Sequence, residues 1–449
     1  MVGAAVTLGT TTVTSTQFGD YQITGVQTPT GSAPLITTVS ARITLNGAIW
    51  SGQNTAVIPA GATVASNVHV VVSNQANQGA ITGTVSDANG APISGAQVVA
   101  AIPDTTDSTR FTNLASWVAF TNTSGVYTFP VLPGGFNYTL VASFPGDFNS
   151  TQHSQTFTGV TTTQSFTLAA GSSQPINPPT NLTSVAITTP TVDSRAVGGD
   201  IVSQTAINAL RHWVLARRHL LGHRFASAGK TTIKNRGGRS TPAGSIIESD
   251  IFWDYDTATN LYGFEILRSV ADATHYATLA ILRDPLADRY SDVDPALTPD
   301  VFTYYDVAAL DTVNFPAGNA AGESAPSQPQ TVVQPLGPIS LTSPAMGSNV
   351  SSSTPTLQWT AVNRATLYQV LVYDAFPSYQ SDTDPNGILP IWPADPNNPG
   401  TSLVSAPATS VVYGGPALVS GHTYYWAVLS EDKVAADFSV SPVRSFVAP

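Results

Sequence analysis

Apolar and polar residues alternate along most of this chain in short runs. Ile81, Gly83 and Val85 are interleaved with Thr82, Thr84 and Ser86, the period of two that puts alternate side chains on opposite faces of a half-buried strand. Asn89-Gly90 follows as a hairpin turn. The alternation returns at Tyr127-Thr-Phe129, Tyr138-Thr-Leu140, Phe166-Thr-Leu168, Phe264-Glu-Ile266 and Thr356-Leu-Gln-Trp359. One window departs from it. Between Ser203 and Arg224, residues Ala206, Ile207, Ala209, Leu210, Trp213, Val214, Leu220 and Leu221 share one broad face at helical spacing. The pattern predicts an all-β chain of tandem β-sandwiches with one short helical insertion.

Composition supports short strands joined by tight turns. Of 449 residues, 42% are hydrophobic and only 10% charged, with 35 Gly and 33 Pro; roughly 25% charged is usual for soluble domains. The length suits three or four domains of ordinary size. Cysteine is absent, which excludes disulfides, thiolate metal sites and a cysteine nucleophile. A net charge of −11 argues against nucleic acid as the partner. Met1-Val-Gly-Ala-Ala lacks the basic and apolar regions of a signal peptide, so an extracellular or cell-surface location requires a leader that this sequence does not include.

Three separated signatures occur in order between residues 79 and 172: Ile81-Thr-Gly-Thr-Val85 through Gly95-Ala-Gln-Val98, then Thr123-Ser-Gly125-Val-Tyr127-Thr-Phe129 with Leu132-Pro-Gly-Gly135, and last Tyr138-Thr-Leu140 with Gln164-Ser-Phe166-Thr-Leu168. This stretch resembles the carboxypeptidase regulatory-like family, which implies a transthyretin-like β-sandwich. Residues 1–78 repeat it in shorter form: Gly3-Ala-Ala-Val6 aligns with Gly95-Ala-Gln-Val98, Gly19-Asp-Tyr21-Gln-Ile23 with Gly125-Val-Tyr127-Thr-Phe129, and Asn67-Val-His-Val70 with the closing strand. The counterpart of the opening strand Ile81–Asp87 is missing. Truncation at the amino terminus is one explanation. Donation of the strand by another chain, through self-association at the open first sandwich, is the other.

Residues 173–180, Ser-Gln-Pro-Ile-Asn-Pro-Pro-Thr, read as a linker. Beyond it, residues 173–336 and 337–449 each resemble a fibronectin type III module. The first carries Trp253 and Leu261-Tyr-Gly-Phe264-Glu-Ile266; the second carries Trp359, Tyr368-Gln-Val370-Leu-Val372 and Tyr424-Tyr-Trp426-Ala-Val428. The resemblance implies that Trp253, Trp359 and Tyr424 are core residues. At the position matching Tyr424 the third module has Thr303.

Two insertions are not plain scaffold. Residues 188–246 interrupt the third module and hold, from Arg195 to Arg239, nine of the 17 basic residues and a single acid, Asp200. Arg211, Arg217, Arg218 and Arg224 are its candidate interaction residues, on a helix suited to an acidic partner, a polyanion or an anionic membrane. The bland reading is a helix packed on its own sandwich with a solvated basic face. Residues 374–400 interrupt the fourth module. Asp382-Thr-Asp384-Pro-Asn386-Gly387 fits the first half of an oxygen-rich cation loop, making Asp382, Asp384 and Asn386 a candidate weak calcium site. The twelfth position, where an EF-hand has its bidentate Glu, is Pro393. Phe376, Tyr379 and Trp392 lie in the same insertion, either as stacking platforms for a carbohydrate or folded back to pack the loop.

No G-x-S-x-G elbow, H-E-x-x-H pair or P-loop occurs. The carboxylate pairs Asp254/Asp256 and Asp292/Asp294 fall at strand ends, where acids commonly solvate turns. The expectation is a non-catalytic extracellular structural or adhesion protein without a cofactor other than calcium, its partner an extracellular protein or polysaccharide. Two alternatives are the accessory carboxyl-terminal region of a larger secreted peptidase or glycoside hydrolase, and a surface filament subunit assembled by strand donation.

Overall fold

The computed structural model describes the chain except for residues 1–3, 16–20, 30–34, 46–47, 59–67, 69, 74–77, 104–112, 151–152, 158–160, 191–199, 203–205, 208, 211–244, 256–258, 295–296, 317–321, 329, 378–387, 395–398 and 433–436. The described residues are almost entirely strands and turns, so the chain is all-β as its period-two pattern predicts.

In the second module the four strands His153–Phe157, Phe136–Ser143, Gln97–Pro103 and Asn113–Phe120 form one sheet in that order. The opposing sheet is built around Gln78–Asp87. That strand pairs antiparallel with Val126–Pro133 and parallel with Thr162–Thr163 and Phe166–Leu168. Ile81 and Val85, both fully buried, point from it into a core with Tyr127, Phe129, Tyr138 and Phe157. The alternation Ile-x-Gly-x-Val is therefore the inward face of this strand. Gly83 is required there, because a Cβ would sit 1.6 Å from the Gln164 carbonyl oxygen.

The described residues of the first module form a five-stranded sheet, ordered Thr11–Thr14, Ala5–Leu8, Leu35–Leu45, Ala48–Ile58, Val71–Ser73. Its first four strands repeat the sheet of the second module in chain order and in neighbour order. Val6, Val39, Ala41, Ala56 and Ile58 form its apolar face, against which Tyr21, Ile23, Val26 and Val68 pack.

The third and fourth modules each enclose a core between two sheets. Trp253, Phe264, Ile266 and Tyr305 fill one; Trp359, Tyr368, Tyr424 and Trp426 fill the other. All three residues expected to be structural are inside, with Trp253 1%, Trp359 3% and Tyr424 3% exposed. Where the third module has Thr303 instead of the tyrosine, Tyr305 supplies the buried ring two residues later, and its hydroxyl donates to Asp292 at 2.8 Å.

Sequence reads these as successive modules, but a single sheet runs through both. Thr180–Pro190 of the third pairs in parallel with Asp437–Val440 of the fourth, Ile187 opposite Phe438 and Thr188 opposite Ser439. The strand Thr180–Pro190 is consequently buried on both faces. Leu182 and Ala186 face the third core, while Val185 and Ile187 face a second cluster with Leu371, Tyr373, Ala427, Leu429 and Phe438. Double-sided burial explains the unbroken apolar run Val185-Ala186-Ile187.

Asp437 fixes this joint. It is fully buried, and its carboxylate accepts the Ala186 N–H at 2.9 Å on one oxygen and the Gln334 N–H at 2.8 Å on the other. Asp437→Ala leaves those amides without an acceptor, at about 1–3 kcal/mol for each. Hydrogen exchange at Ala186 and Gln334 is the measurement. Protection should fall at both, and unchanged protection would show that the carboxylate does not hold the joint.

Candidate functional site at the module junctions

The cation loop residues Asp382, Asp384 and Asn386, the aromatic Tyr379 and the basic residues Arg211, Arg217, Arg218 and Arg224 all lie outside the described residues. Two members of the candidate sugar platform are described. Trp392 is 6% exposed. Its ring meets Tyr413 edge to face at 5.3 Å, and its backbone pairs with Val372, whose N–H donates to the Trp392 carbonyl at 2.8 Å. Phe376 is half-buried and meets Tyr425 edge to face at 5.4 Å. Trp392 is thus a core side chain, because the returning insertion bridges it to the sheet at Val372. Of the two arrangements open to this aromatic, its packing is the folded-back one.

The paired carboxylates Asp292 and Asp294 are held by one guanidinium. Arg268 donates to Asp292 at 2.9 Å and to Asp294 at 3.2 Å. Burial pulls the Arg268 pKa down, and the charge and hydrogen bond of Asp292 raise it by more, so it stays protonated. Burial, with the Asp292 charge next, lifts Tyr305 well above the usual phenol range. Asp292 is buried and Asp294 is exposed at 42%, so the guanidinium ties a carboxylate inside the sandwich to one at its surface. Asp254 accepts from the Asn181 amide at 2.8 Å; Asp256 lies outside the described residues. No group of three or more metal-ligating His, Asp or Glu side chains occurs among the described residues, and no helix among them is long and apolar enough to cross a membrane.

Buried polar groups also join the modules where they meet. Between the second and third, Asn149 donates its side-chain amide to the Leu261 carbonyl and its N–H to the Thr259 carbonyl, both at 2.5 Å, and Gln97 donates to the Arg283 carbonyl at 2.6 Å. The Arg283 guanidinium lies 5.7 Å from the Phe120 ring centroid and 5.5 Å from that of Tyr262, one ring from each module. Beside it, burial pushes Asp284 up to about 6, with the Leu286 N–H pulling the other way. The linker is gripped as well, for Asn314 donates to the Ser173 hydroxyl and Asn260 to the Gln174 carbonyl. Between the first and second, the Val118 N–H donates to the Gln53 side chain at 3.3 Å.

The third and fourth are clasped twice more. Arg364, whose φ of 64° is unusual for a side chain of that bulk, hydrogen-bonds both Asp432 and the Gln334 carbonyl and lies 3.7 Å from Asp300. The insertion of the third module then crosses to the fourth. Asp200 takes a two-pronged contact from Arg444, at 2.5 and 2.8 Å, and Ile201 bridges Val443. Ala206, Ile207, Ala209 and Leu210 are helical, as the 203–224 spacing predicts for them, and all four are buried. Ala206 and Leu210 pack on Leu371, Tyr373, Ala427 and Leu429. This start of the insertion therefore covers the outer face of the shared sheet, beyond the limits of its own sandwich.

Sequence reading missed these junction residues. One signal was available: in a chain with 10% charged residues, Asp437 and Arg444 flank the apolar run Phe438-Ser-Val-Ser-Pro-Val443, and charges set in buried strands need partners.

Fold and junctions together define a tandem β-sandwich protein whose units are docked to one another. Within it, residues 80–172 match the family described as carboxypeptidase regulatory-like domain, the stretch in which the sequence carries that resemblance. No curated protein matches the chain. Among solved structures, similarity extends to the FN1–FN3 domains of chicken CNTN1 (11% identity, 86% of this chain and 95% of that one, TM-score 0.29). It extends also to the major pilin SpaD of Corynebacterium diphtheriae (8%, 83% and 98%, 0.19) and to a putative carbohydrate-binding protein of Bacteroides uniformis (11%, 57% and 98%, 0.17). Overlaps this loose have no bearing on role.

Proposed function

We propose that the chain is a non-catalytic structural protein of the cell exterior, a stiff scaffold of docked sandwiches. The observation that carries this reading is the sheet that continues from Thr180–Pro190 into Asp437–Val440. A flexible string of modules has no need to bury a carboxylate in a joint. Here Asp437, Arg444 and Arg364 are spent on holding two sandwiches at one angle, which suits a spacer that resists bending. The carboxylate pair described in full is likewise consumed by Arg268. The exterior location rests on the resemblance of the modules to families used mostly as spacers and binding units.

Two measurements test it. Protease shaving of intact cells should release peptides of this chain; recovery only after lysis would remove the exterior location. Pulled from its ends in a single-molecule experiment, the region 180–449 should rupture as one unit. Separate low-force release of the third and fourth sandwiches would overturn the scaffold reading.

A further inference from the structure

Arginines inside this protein are paired with carboxylates. Arg268 holds Asp292 and Asp294, Arg364 holds Asp432, and Arg444 holds Asp200. Arg283 breaks the pattern. It is as deeply buried as Arg444, at 5% against 6% exposed, yet its Nε and Nη2 have no hydrogen-bond partner among the described residues. Burial pulls its pKa down, opposed by Tyr262.

The groups around Arg283 leave those donors unmet. The rings of Phe120 and Tyr262, one from the second module and one from the third, lie 5.7 and 5.5 Å from the guanidinium. They meet its charge but offer no oxygen lone pair to an N–H. Asp284, next in sequence, accepts instead from the Leu286 N–H at 2.8 Å. Gln97 donates through Nε2 to the Arg283 carbonyl, and its own Oε1 is buried without a partner as well. A buried donor pair and a buried acceptor are thus both unsatisfied at one junction, where buried polar groups ordinarily find partners.

Nε and Nη2 stand on one edge of the planar guanidinium, with their N–H bonds spaced for the two oxygens of a single carboxylate. The chain itself shows the arrangement: Arg444 offers the same two nitrogens to the two oxygens of Asp200, at 2.5 and 2.8 Å. At Arg283 the edge is equivalent and the protein supplies no acid.

We infer that the junction of the second and third modules is a binding site for a small planar oxyanion of the carboxylate type, held on the Nε–Nη2 edge of Arg283 between Phe120 and Tyr262. The depth of Arg283 restricts the ligand to the size of formate or acetate. A halide has no second oxygen for the fork. Because the two rings come from different modules, the site is complete only when the modules are docked, and occupancy stabilises docking by mass action. This site does not depend on the scaffold reading, which rests on the joint of the third and fourth modules.

The test uses the whole 449-residue chain with formate as the probe. The Asn149 N–H crosses the junction to the Thr259 carbonyl and reports docking. Sodium formate replaces sodium chloride at constant ionic strength while amide exchange is followed. Above half-saturation, each ten-fold rise in formate should slow exchange at Asn149 about ten-fold. Val372, whose N–H is bonded within the fourth module, should not respond. Arg283→Lys keeps the charge and loses the fork, so the response at Asn149 should vanish. The site is overturned if the parent exchanges equally in formate and chloride, if Val372 slows as much as Asn149, or if the response persists in Arg283→Lys. Should the lysine variant fail to dock, the parent's own response at Asn149 against Val372 still decides.

Discussion

Arg444→Ala is expected to destabilise the joined third and fourth modules by about 3–5 kcal/mol, because it strands a buried carboxylate. Arg444 and Asp200 expose 7% and 6% of their side chains. The guanidinium makes two contacts to Asp200 and a third, at 3.2 Å, to the Pro344 carbonyl. Without its partner in that buried position, the Asp200 carboxylate must be reached by water, which opens the clasp between the insertion and the fourth module. Removing both charges avoids this cost, so Asp200→Asn combined with Arg444→Met should recover most of the loss. Calorimetric unfolding of the four proteins of this cycle is the measurement. A single mutant within about 1 kcal/mol of the parent would mean that the pair is solvated and that the insertion is not held by it.

Trp359→Ala should be equally damaging, at about 3–5 kcal/mol for a buried large-to-small change. On the strand Thr356–Trp359, Leu357 and Trp359 face inward and Thr356 and Gln358 outward. The indole packs on Tyr368 at 5.4 Å between ring centroids, and the Tyr368 hydroxyl accepts the Val362 N–H at 2.9 Å. The cavity would loosen that ring and the strand Leu367–Tyr373 bearing it. That strand is hydrogen-bonded to Thr423–Asp432, which in turn pairs with Asp437–Val440. Damage should therefore reach the third module, and denaturant unfolding should show both sandwiches lost together at a lowered midpoint. Unfolding of the fourth alone, with the third unchanged, would show the shared sheet to be a weak coupling. Trp359→Phe keeps a ring in the site and should cost clearly less.

Strand and sheet character lay open in the sequence because a half-buried strand must alternate. Ile81, Gly83 and Val85 announced their face, and Trp253 and Trp359 announced cores, since a large apolar side chain on an alternating strand has one favourable place to go. Residues 80–172 carried enough separated signatures for their resemblance to be recognised. The internal repeat in residues 1–78 was legible too, and four of its strands follow the neighbour order of a sheet of the second module. That Gln78–Asp87 organises a whole sheet of the second module was not, because only the pairing pattern reveals it.

Trp392 marks the opposite case. An aromatic in a polar, turn-rich insertion reads equally as a platform or a plug, and its burial was decided by Val372 and Tyr413, distant in sequence. The runs Val185-Ala-Ile187 and Trp426-Ala-Val428-Leu429 lie between these extremes. Unbroken apolar character states that both faces of a strand must be covered. What covers the second face is the other module and the start of the 188–246 insertion, a matter of docking that local pattern does not encode. By itself the sequence determined which side chains avoid water and at what period, because that follows from transfer free energy and backbone geometry residue by residue. Only the tertiary structure decided which strands from different modules became neighbours, and so which buried charges, Asp437 and Arg444 among them, found the partners that make their burial tolerable.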